Sequence, residues 1–333
     1  MFVTSTVSGL TVNIPAVFIW GIVVGYIFTT VGAAGAILTF IGQVVIFGLD
    51  KAMVSFLKAK GYSAKVAKDI TTKTLKVHNL TAVIISPLIA VPRYWAERRV
   101  AIPLALCIAV GVVIGAIVGP SIPMTLKQYK FWFGVVTFLI GIRLAYECTE
   151  TYRRRKEKLV KISKAFEEKV KELKATGKWE ELKKVGYKLT KFSATEMRFE
   201  FVGEEFVINP VLAALGGFFI AFIASMFGLG GGFLLVPYLS SVFVLPMFLV
   251  SGTSITIVLI NSIVAIARYL QLGGLFDPYY MGPFLAGVVI GAFIGPWSQK
   301  YYKEKWLRGL IAVILLFYGL RFMGVWKALG IPI

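Results

Sequence analysis

Long apolar runs separated by short charged segments dominate the chain. In the first half the runs are Ile14 to Val31, Ala33 to Leu49, Val77 to Val91, Val100 to Val118 and Phe131 to Cys148. In the second half they are Val207 to Phe227, Phe233 to Val250, Ser251 to Leu272, Tyr279 to Ser298 and Trp306 to Trp326. Because a helix of about 20 apolar residues crosses the hydrocarbon core of a bilayer, each run predicts one membrane element. The pattern therefore predicts the same number of elements in each half.

Two segments depart from this pattern and carry charged residues at helical spacing. Asp50 to Lys76 mixes lysines with Val, Ala, Phe and Leu, which is typical of a helix lying on the membrane surface; a solvated loop is the alternative. In Glu150 to Glu205, apolar residues recur at every third or fourth position from Leu159 to Leu173. This spacing predicts an amphipathic pair of helices, broken near Gly177, that lies outside the membrane.

An internal duplication relates the two halves. Gly111 to Pro120 reads GVVIGAIVGP and Gly287 to Pro296 reads GVVIGAFIGP, while Asn79 and Asn261 each follow a threonine by eight residues. Because each half has an odd number of elements, the halves enter the membrane in opposite orientations, which predicts an inverted repeat. The predicted fold is an all-α polytopic membrane protein with two five-element inverted repeats. Its parts are a first repeat at 1–149, a helical extramembrane insert at 150–206 and a second repeat at 207–333.

Each half also contains a cluster of small residues between two apolar runs. The first reads VGAAGAILTF from Val31 to Phe40, and the second reads FGLGGGFLLVP from Phe227 to Pro237. Such clusters predict helix breaks, and broken backbone at membrane depth is tolerated only in the protein interior or along a cavity. Close helix packing explains glycines spaced by four, as in Gly111 to Pro120, but not this density. The predicted break glycines that contact substrate are Gly32, Gly35, Gly228, Gly230, Gly231 and Gly232.

Composition and charge agree with a membrane protein and exclude several other classes. The chain has 333 residues, of which 57% are hydrophobic and 16% charged, and a net charge of +19. The basic residues concentrate in the segments between predicted spans, which is typical of membrane-flanking loops rather than of nucleic-acid binding. The two cysteines support neither a disulfide framework nor a metal site. The insert side carries more lysine and arginine, so we predict that residues 150–206 are cytoplasmic.

Polar residues inside the apolar runs are the candidate binding groups. Asn79 and Asn261 occupy equivalent positions in the two halves and serve either as substrate contacts or as hydrogen bonds between helices. His78, the single histidine, is a candidate for carrying a coupling proton, although a structural role is the alternative. The remaining candidate donors to a substrate are Gln43, Ser225, Ser254, Thr256 and Arg268.

The predicted spans hold no cluster of carboxylates. The acidic residues Glu97, Glu147 and Asp277 fall at span ends, which argues against a cation path. Neither a Ser/His pair, an aspartate pair nor a zinc-binding HExxH motif occurs, so no enzyme is predicted. Glycine N–H groups, amides and hydroxyls suit an anion instead. We expect neither a cofactor nor a metal.

These motifs resemble those of the sulfite exporter TauE/SafE family of membrane permeases. The resemblance rests on FGLGGGFLLVPYL from Phe227 to Leu239, its weaker counterpart VGAAGAILTF, SGTSITIVLIN from Ser251 to Asn261 and the GVVIGAFIGP run. It covers both halves but not the insert, and the alanines at 33, 34 and 36 depart from the glycine-rich pattern. The resemblance implies transport of small sulfur-containing anions, such as sulfite or sulfonates, across the inner membrane.

Three hypotheses follow from the sequence. The first is a secondary transporter that binds a small anion between the two breaks and works by alternating access. The second is a passive anion channel, and the third is a membrane scaffold that acts through the basic insert. The expected partners of the transporter are the anion, the lipid bilayer and a coupling proton or sodium ion, with homodimer formation left open.

Overall fold

Eight helices in the described part of the chain are long and apolar enough to cross a membrane, and a bent helix pair adds a ninth candidate. The computed structural model describes residues 1–31, 34–150, 168, 172, 187–193, 195–201, 204–298 and 304–330. The helices of the first half are α1 (Ile14–Val31), α2 (Gly35–Ile41), α3 (Leu49–Ala59), α4 (Ala64–Ala96), α5 (Ile102–Ser121) and α6 (Leu126–Glu147). Those of the second half are α7 (Pro210–Phe227), α8 (Gly232–Pro237), α9 (Met247–Gln271), α10 (Pro278–Ser298), α11 (Glu304–Met323) and α12 (Val325–Ala328). The all-α polytopic fold is thereby confirmed.

The second element of each half is shorter than predicted. Helices α2 and α8 each continue into a π-helical turn, Gly42–Ile46 and Tyr238–Val242 respectively. The predicted run from Phe233 to Val250 was wrong at its end, because α9 begins at Met247 after Pro246, a residue that cannot donate a backbone hydrogen bond.

The lysine-rich segment from Asp50 to Lys76 is neither one surface helix nor a loop. It divides between α3 and the first turns of α4, and Ser63 starts α4 by accepting a hydrogen bond from the Val66 backbone N–H at 3.3 Å. Helix α4 therefore extends the predicted Val77 to Val91 span at both ends. Its early turns bring a lysine, Lys76, into the protein interior, where only 3% of its surface is exposed.

Helices pair reciprocally between the two halves. The most extensive contacts join α1 with α10, α5 with α7, α6 with α11 and α4 with α9. The predicted glycine faces explain the first two pairs: a Cβ at Gly111 would lie 1.9 Å from the Ala214 carbonyl oxygen, and one at Gly287 would lie 2.1 Å from that of Phe18. Each half thus supplies one glycine-lined helix to the other, as two related halves would. Their inverted orientation stays a prediction.

The two sides of the molecule are fixed by side-chain contacts. On one, called the N-terminal side, strands β1 (Phe2–Thr4) and β2 (Thr11–Asn13) form a hairpin. The Ser5 hydroxyl on this hairpin donates to Asp277 Oδ2 at 2.7 Å, just before α10. The opposite side, called the insert side, holds the α4–α5 turn and the ion pair between Glu147 and Arg308 at 2.7 Å. Helix α1 runs from the N-terminal side toward the insert side.

The described end of the insert differs from its prediction. Strands β3 (Tyr187–Phe192), β4 (Met197–Phe201) and β5 (Glu204–Ile208) form an antiparallel sheet where a helix was predicted. Aromatic residues alternate along β4, which places Phe199 and Phe201 on one buried face; this period of two is the signal of a strand. The predicted helix pair from 151 to 186 lies outside the described residues except for Glu168 and Glu172, which are helical.

Candidate functional site

Both predicted breaks are reversals of the chain. After α1 ends at Val31, α2 returns beside it, so that Gly35 lies against Phe28 and Gly42 against Trp20. After α7 ends at Phe227, α8 returns in the same way. The tight approach at Gly42, where a Cβ would lie 2.2 Å from Trp20 Nε1, explains why the residue is glycine. Each break thus places two helix ends at one depth.

Left-handed backbone makes the reversals possible. In the second break Gly228, Gly230 and Gly231 have φ of 70°, 75° and 91°, a region that glycine enters without steric penalty. In the first break Ala34 has φ 71° and precedes α2 as Gly231 precedes α8. The two breaks share this geometry despite their different sequences. Gly32 lies outside the described residues.

One cavity of about 570 Å³ touches both breaks. Ala34 and Gly35 line it from the first half, and Leu229 and Gly232 line it from the second. Further walls come from the second part of α4, the start of α9 and the end of α10. Most of the lining is apolar, and its polar residues are Thr29, Ser86, Arg93, Tyr94, Arg99, Ser251 and Ser254. The breaks therefore form part of the wall of a pocket.

The insert-side end of the cavity carries positive charge. Arg93 and Arg99 both line it, and both pair with the buried carboxylate of Glu97, at 3.0 and 2.7 Å. The Arg99 guanidinium also stacks against the rings of Tyr94 and Phe248. Two guanidinium groups against one carboxylate leave one positive charge in excess. The side chain of Arg93 is 75% exposed, so the cavity reaches the surface at this end.

A chain of hydrogen bonds between buried groups lies on the opposite, N-terminal side. The Asp277 backbone N–H donates to His78 Nε2 at 3.1 Å, so the ring proton of His78 lies on Nδ1 and donates to Gln43 Oε1 at 3.2 Å. Gln43 Nε2 then donates to Asn79 Oδ1 at 2.8 Å. Asn79 Nδ2 donates to the Tyr129 hydroxyl at 3.3 Å, which donates to the Phe227 carbonyl at 3.2 Å. These polar groups bind one another and do not line the cavity.

A second polar cluster holds the second break itself. The Ser225 hydroxyl donates to Asn261 Oδ1 at 2.8 Å, and Asn261 Nδ2 donates to the Gly230 carbonyl at 3.1 Å. The Asn261 amide therefore gives the Gly230 carbonyl the hydrogen bond that a continuous helix would have provided. Of the two alternatives for Asn79 and Asn261, this arrangement matches hydrogen bonding between elements. Substrate contact by either amide stays a prediction.

The remaining candidates divide between the cavity and other positions. Ser254 lines the cavity. Thr256 is buried beside it and accepts a hydrogen bond from Trp95 Nε1 at 3.3 Å. Arg268 does not line the cavity: its guanidinium donates to the Ser121 hydroxyl at 3.0 Å on the exposed N-terminal side. The prediction that Arg268 faces a substrate path is not supported by this placement.

Comparison with known proteins places the chain in a family. Residues 16–322 match the family described as Sulfite exporter TauE/SafE. The chain belongs to the TauE/SafE family. A probable membrane transporter protein of Methanocaldococcus jannaschii is 37% identical to this TauE/SafE protein over 117 residues, which are 34% of the present chain and 44% of that relative. The alignment thus spans less than half of the relative's length. No solved structure matches the chain.

Family membership and the apolar helices make this TauE/SafE protein a multi-pass membrane protein. The sequence predictions of a permease and of its family are confirmed.

Three residues at this TauE/SafE site were missed from the sequence. The sequence places Arg93 and Arg99 between two predicted spans, among basic residues that are typical of membrane-flanking loops. The contacts of Arg99 with aromatic rings, which are visible only in the structure, show that its side chain points into the protein. Lys76 was assigned to a surface segment, since its lysine neighbours are exposed; the depth to which α4 extends was not visible in the pattern.

Proposed function

We propose that this chain is a secondary transporter of small anions, most specifically sulfite or organosulfonates, that works by alternating access around the two breaks. The single observation that carries the proposal is that one cavity touches both breaks and ends at a pair of arginines. The choice of a sulfur-containing substrate rests on the description of the family. The choice of an anion rests on the two arginines that line the cavity.

The cavity chemistry favours an oxyanion. A guanidinium group presents parallel N–H donors to planar or tetrahedral oxyanions, and the hydroxyls of Ser251 and Ser254 lie in the same lining. Glu97 occupies both arginines in the described state. An entering sulfite or sulfonate would compete with this carboxylate, so the anion is bound weakly enough to leave again.

The asymmetry of the molecule supports alternating access. Arg93 marks an open end of the cavity on the insert side, while the hydrogen bonds from Asp277 to Phe227 close the N-terminal side. A transporter in one of its two states has this arrangement, whereas an open channel needs a path on both sides. We assign the insert side to the cytoplasm of an inner membrane, from the excess of basic residues on it.

Reconstituted protein tests the proposal. We expect saturable uptake and counterflow of sulfite or sulfoacetate into proteoliposomes, with acetate and chloride as competitors. The Arg99→Gln variant should lower the apparent affinity for the anion by about tenfold or more, because a hydrogen bond to a charged group contributes about 1.5–3 kcal/mol. Arg93→Gln is a second test of the same site that should disturb folding less, because the Arg93 side chain is largely exposed. Arg268→Gln is the matched control and should transport normally. Flux that neither saturates nor shows counterflow would favour a channel, and equal effects of all three variants would contradict the cavity site.

A further inference from the structure

Lys76 is a charged residue in the interior of a membrane helix. It lies on α4, a helix that is long and apolar enough to cross a membrane, and only 3% of its surface is exposed. Charged side chains at this depth are strongly disfavoured, and those that occur usually have a functional partner. The surroundings of the ammonium group therefore decide what the residue does.

Two tyrosine rings, and no carboxylate, surround the ammonium group. Lys76 Nζ lies 4.7 Å from the ring centre of Tyr129 and 5.2 Å from that of Tyr269. Within the described residues no carboxylate comes within ion-pair distance: Asp69, on the same helix, pairs with Lys73 at 2.5 Å, and Asp50 pairs with Lys130 at 2.6 Å. The rings attract a cation through their faces, but they do not neutralise its charge.

The oxygen atoms nearest this cage are already engaged. The Tyr129 hydroxyl donates to the Phe227 carbonyl at 3.2 Å, and the Tyr269 hydroxyl donates to the carbonyls of Ser225 and Met226 at 2.8 and 3.1 Å. These bonds fix both rings at the end of α7. In the described part of the chain no hydrogen bond joins Lys76 Nζ to an oxygen atom, which is a costly condition for a buried charge.

The second break separates this cage from the cavity. A Cβ at Gly228 would lie 3.1 Å from Lys76 Cα, and one at Gly230 would lie 2.6 Å from the side chain of Val83, which lines the cavity. Lys76 therefore lies against the face of the second break that is turned away from the cavity. The ammonium lies on the closed side, one helical turn from Asn79.

We propose that Lys76, between Tyr129 and Tyr269, is a second anion-binding site for a small oxyanion on the N-terminal side of the breaks. The proposal rests on the proposed function, because it assigns the site that receives the anion when the protein opens on its other side. The bound anion supplies the missing counter-charge and accepts from the unpaired N–H donors. A structural lysine that only packs against the two rings is the competing explanation.

Thermal unfolding of the purified full chain with sulfite, methanesulfonate, sulfate and chloride distinguishes these explanations. Lys76→Met keeps an unbranched apolar chain, one atom shorter than that of lysine, and removes the charge; we expect a folded protein whose melting temperature without anion is unchanged or higher. Its apparent affinity for sulfite or methanesulfonate, and its uptake in proteoliposomes, should fall roughly 10- to 100-fold, as expected for loss of a charge-assisted hydrogen bond. Lys76→Arg retains the charge and should recover part of both.

Lys73→Met is the matched control, because Lys73 lies one turn earlier on α4 and is partly exposed. It should leave affinity and uptake unchanged. A Lys76→Met protein that melts several degrees lower yet responds fully to anions would show a structural lysine and overturn the proposal. A wild type that neither responds to nor transports any of these anions would contradict the proposed function, and the Lys76 site would fall with it.

Discussion

At the scale of single residues, the two breaks use the same backbone conformation with different side chains. Ala34 and Gly231 both have positive φ immediately before a short helix. The left-handed region disfavours alanine by about 1–2 kcal/mol but not glycine. The first break thus retains strain that the second avoids, which gives a direct test of the geometry.

Exchanging the two residue types should have opposite effects on stability. Ala34→Gly should raise the free energy of unfolding by about 0.5–1 kcal/mol, because relief of the left-handed alanine exceeds the added chain entropy of glycine. Gly231→Ala should lower it by about 1–2 kcal/mol, since its new Cβ would also lie 3.2 Å from Ala224 Cβ. Thermal denaturation in detergent measures both changes. If both substitutions changed the free energy of unfolding in the same direction, the two breaks would differ in conformation.

Asn261 offers a second test at this scale. Asn261→Ala leaves the Ser225 hydroxyl and the Gly230 carbonyl without their buried partner, so stability should fall by about 1–3 kcal/mol. The adjacent Ser262 is the control, because its buried hydroxyl has no hydrogen-bond partner among the described residues. Ser262→Ala should therefore be neutral or slightly stabilising in the same denaturation experiment. A larger loss for Ser262→Ala than for Asn261→Ala would contradict the role given to the amide.

At the scale of elements, glycine faces set how closely helices approach. Gly111 and Gly287 hold α5 against α7 and α10 against α1 at backbone contact distance. Gly282, on α10 as well, faces open space. The same residue type in one helix therefore has two different roles.

Alanine substitution should separate these roles. Gly287→Ala forces α1 and α10 apart and should destabilise the protein by about 1–3 kcal/mol, as overpacking does elsewhere. Gly282→Ala adds a helix-favouring residue in open space and should stabilise it by about 0.5–1 kcal/mol. Circular dichroism during heating provides the measurement. Matching losses in the two variants would mean that the close contact at Gly287 has no energetic importance.

The elements also show what the sequence could and could not predict. Apolar runs and duplicated glycines predicted the spans, the paired halves and both breaks, because bilayer thickness and close packing act on local patterns. The length of α4 was not predictable, since its first turns look amphipathic while Lys76 lies inside. Strands β3 to β5 were read as helix because charged residues on the exposed faces obscured the alternation of Phe199 and Phe201.

At the scale of the whole molecule, the cavity lies toward the insert side and the series of buried hydrogen bonds lies toward the N-terminal side. Ser251 lines the cavity, whereas Ser225 is fully buried beside Asn261. The accessibility of these two positions to water-borne reagents reports the state of the protein directly.

Cysteine labelling tests this asymmetry. In a background with Cys107→Ser and Cys148→Ser, we expect Ser251→Cys to react with a membrane-impermeant thiosulfonate added from the insert side, and Ser225→Cys to stay unlabelled from either side. Methanesulfonate or sulfate in the cavity, neither of which reacts with the reagent, should slow the reaction at position 251. Labelling of position 251 from the N-terminal side would contradict the closed state described above.

The hydrogen bonds from Asp277 to Phe227 all point in one direction, with each group donating to the next. Removing any single link leaves buried polar atoms unpaired on both of its neighbours, whereas groups that separate together and meet water regain partners. Separation is therefore cooperative, and its rate should depend steeply on temperature. The N-terminal side of the protein is expected to exist as either shut or open, without a populated intermediate through which ions would leak.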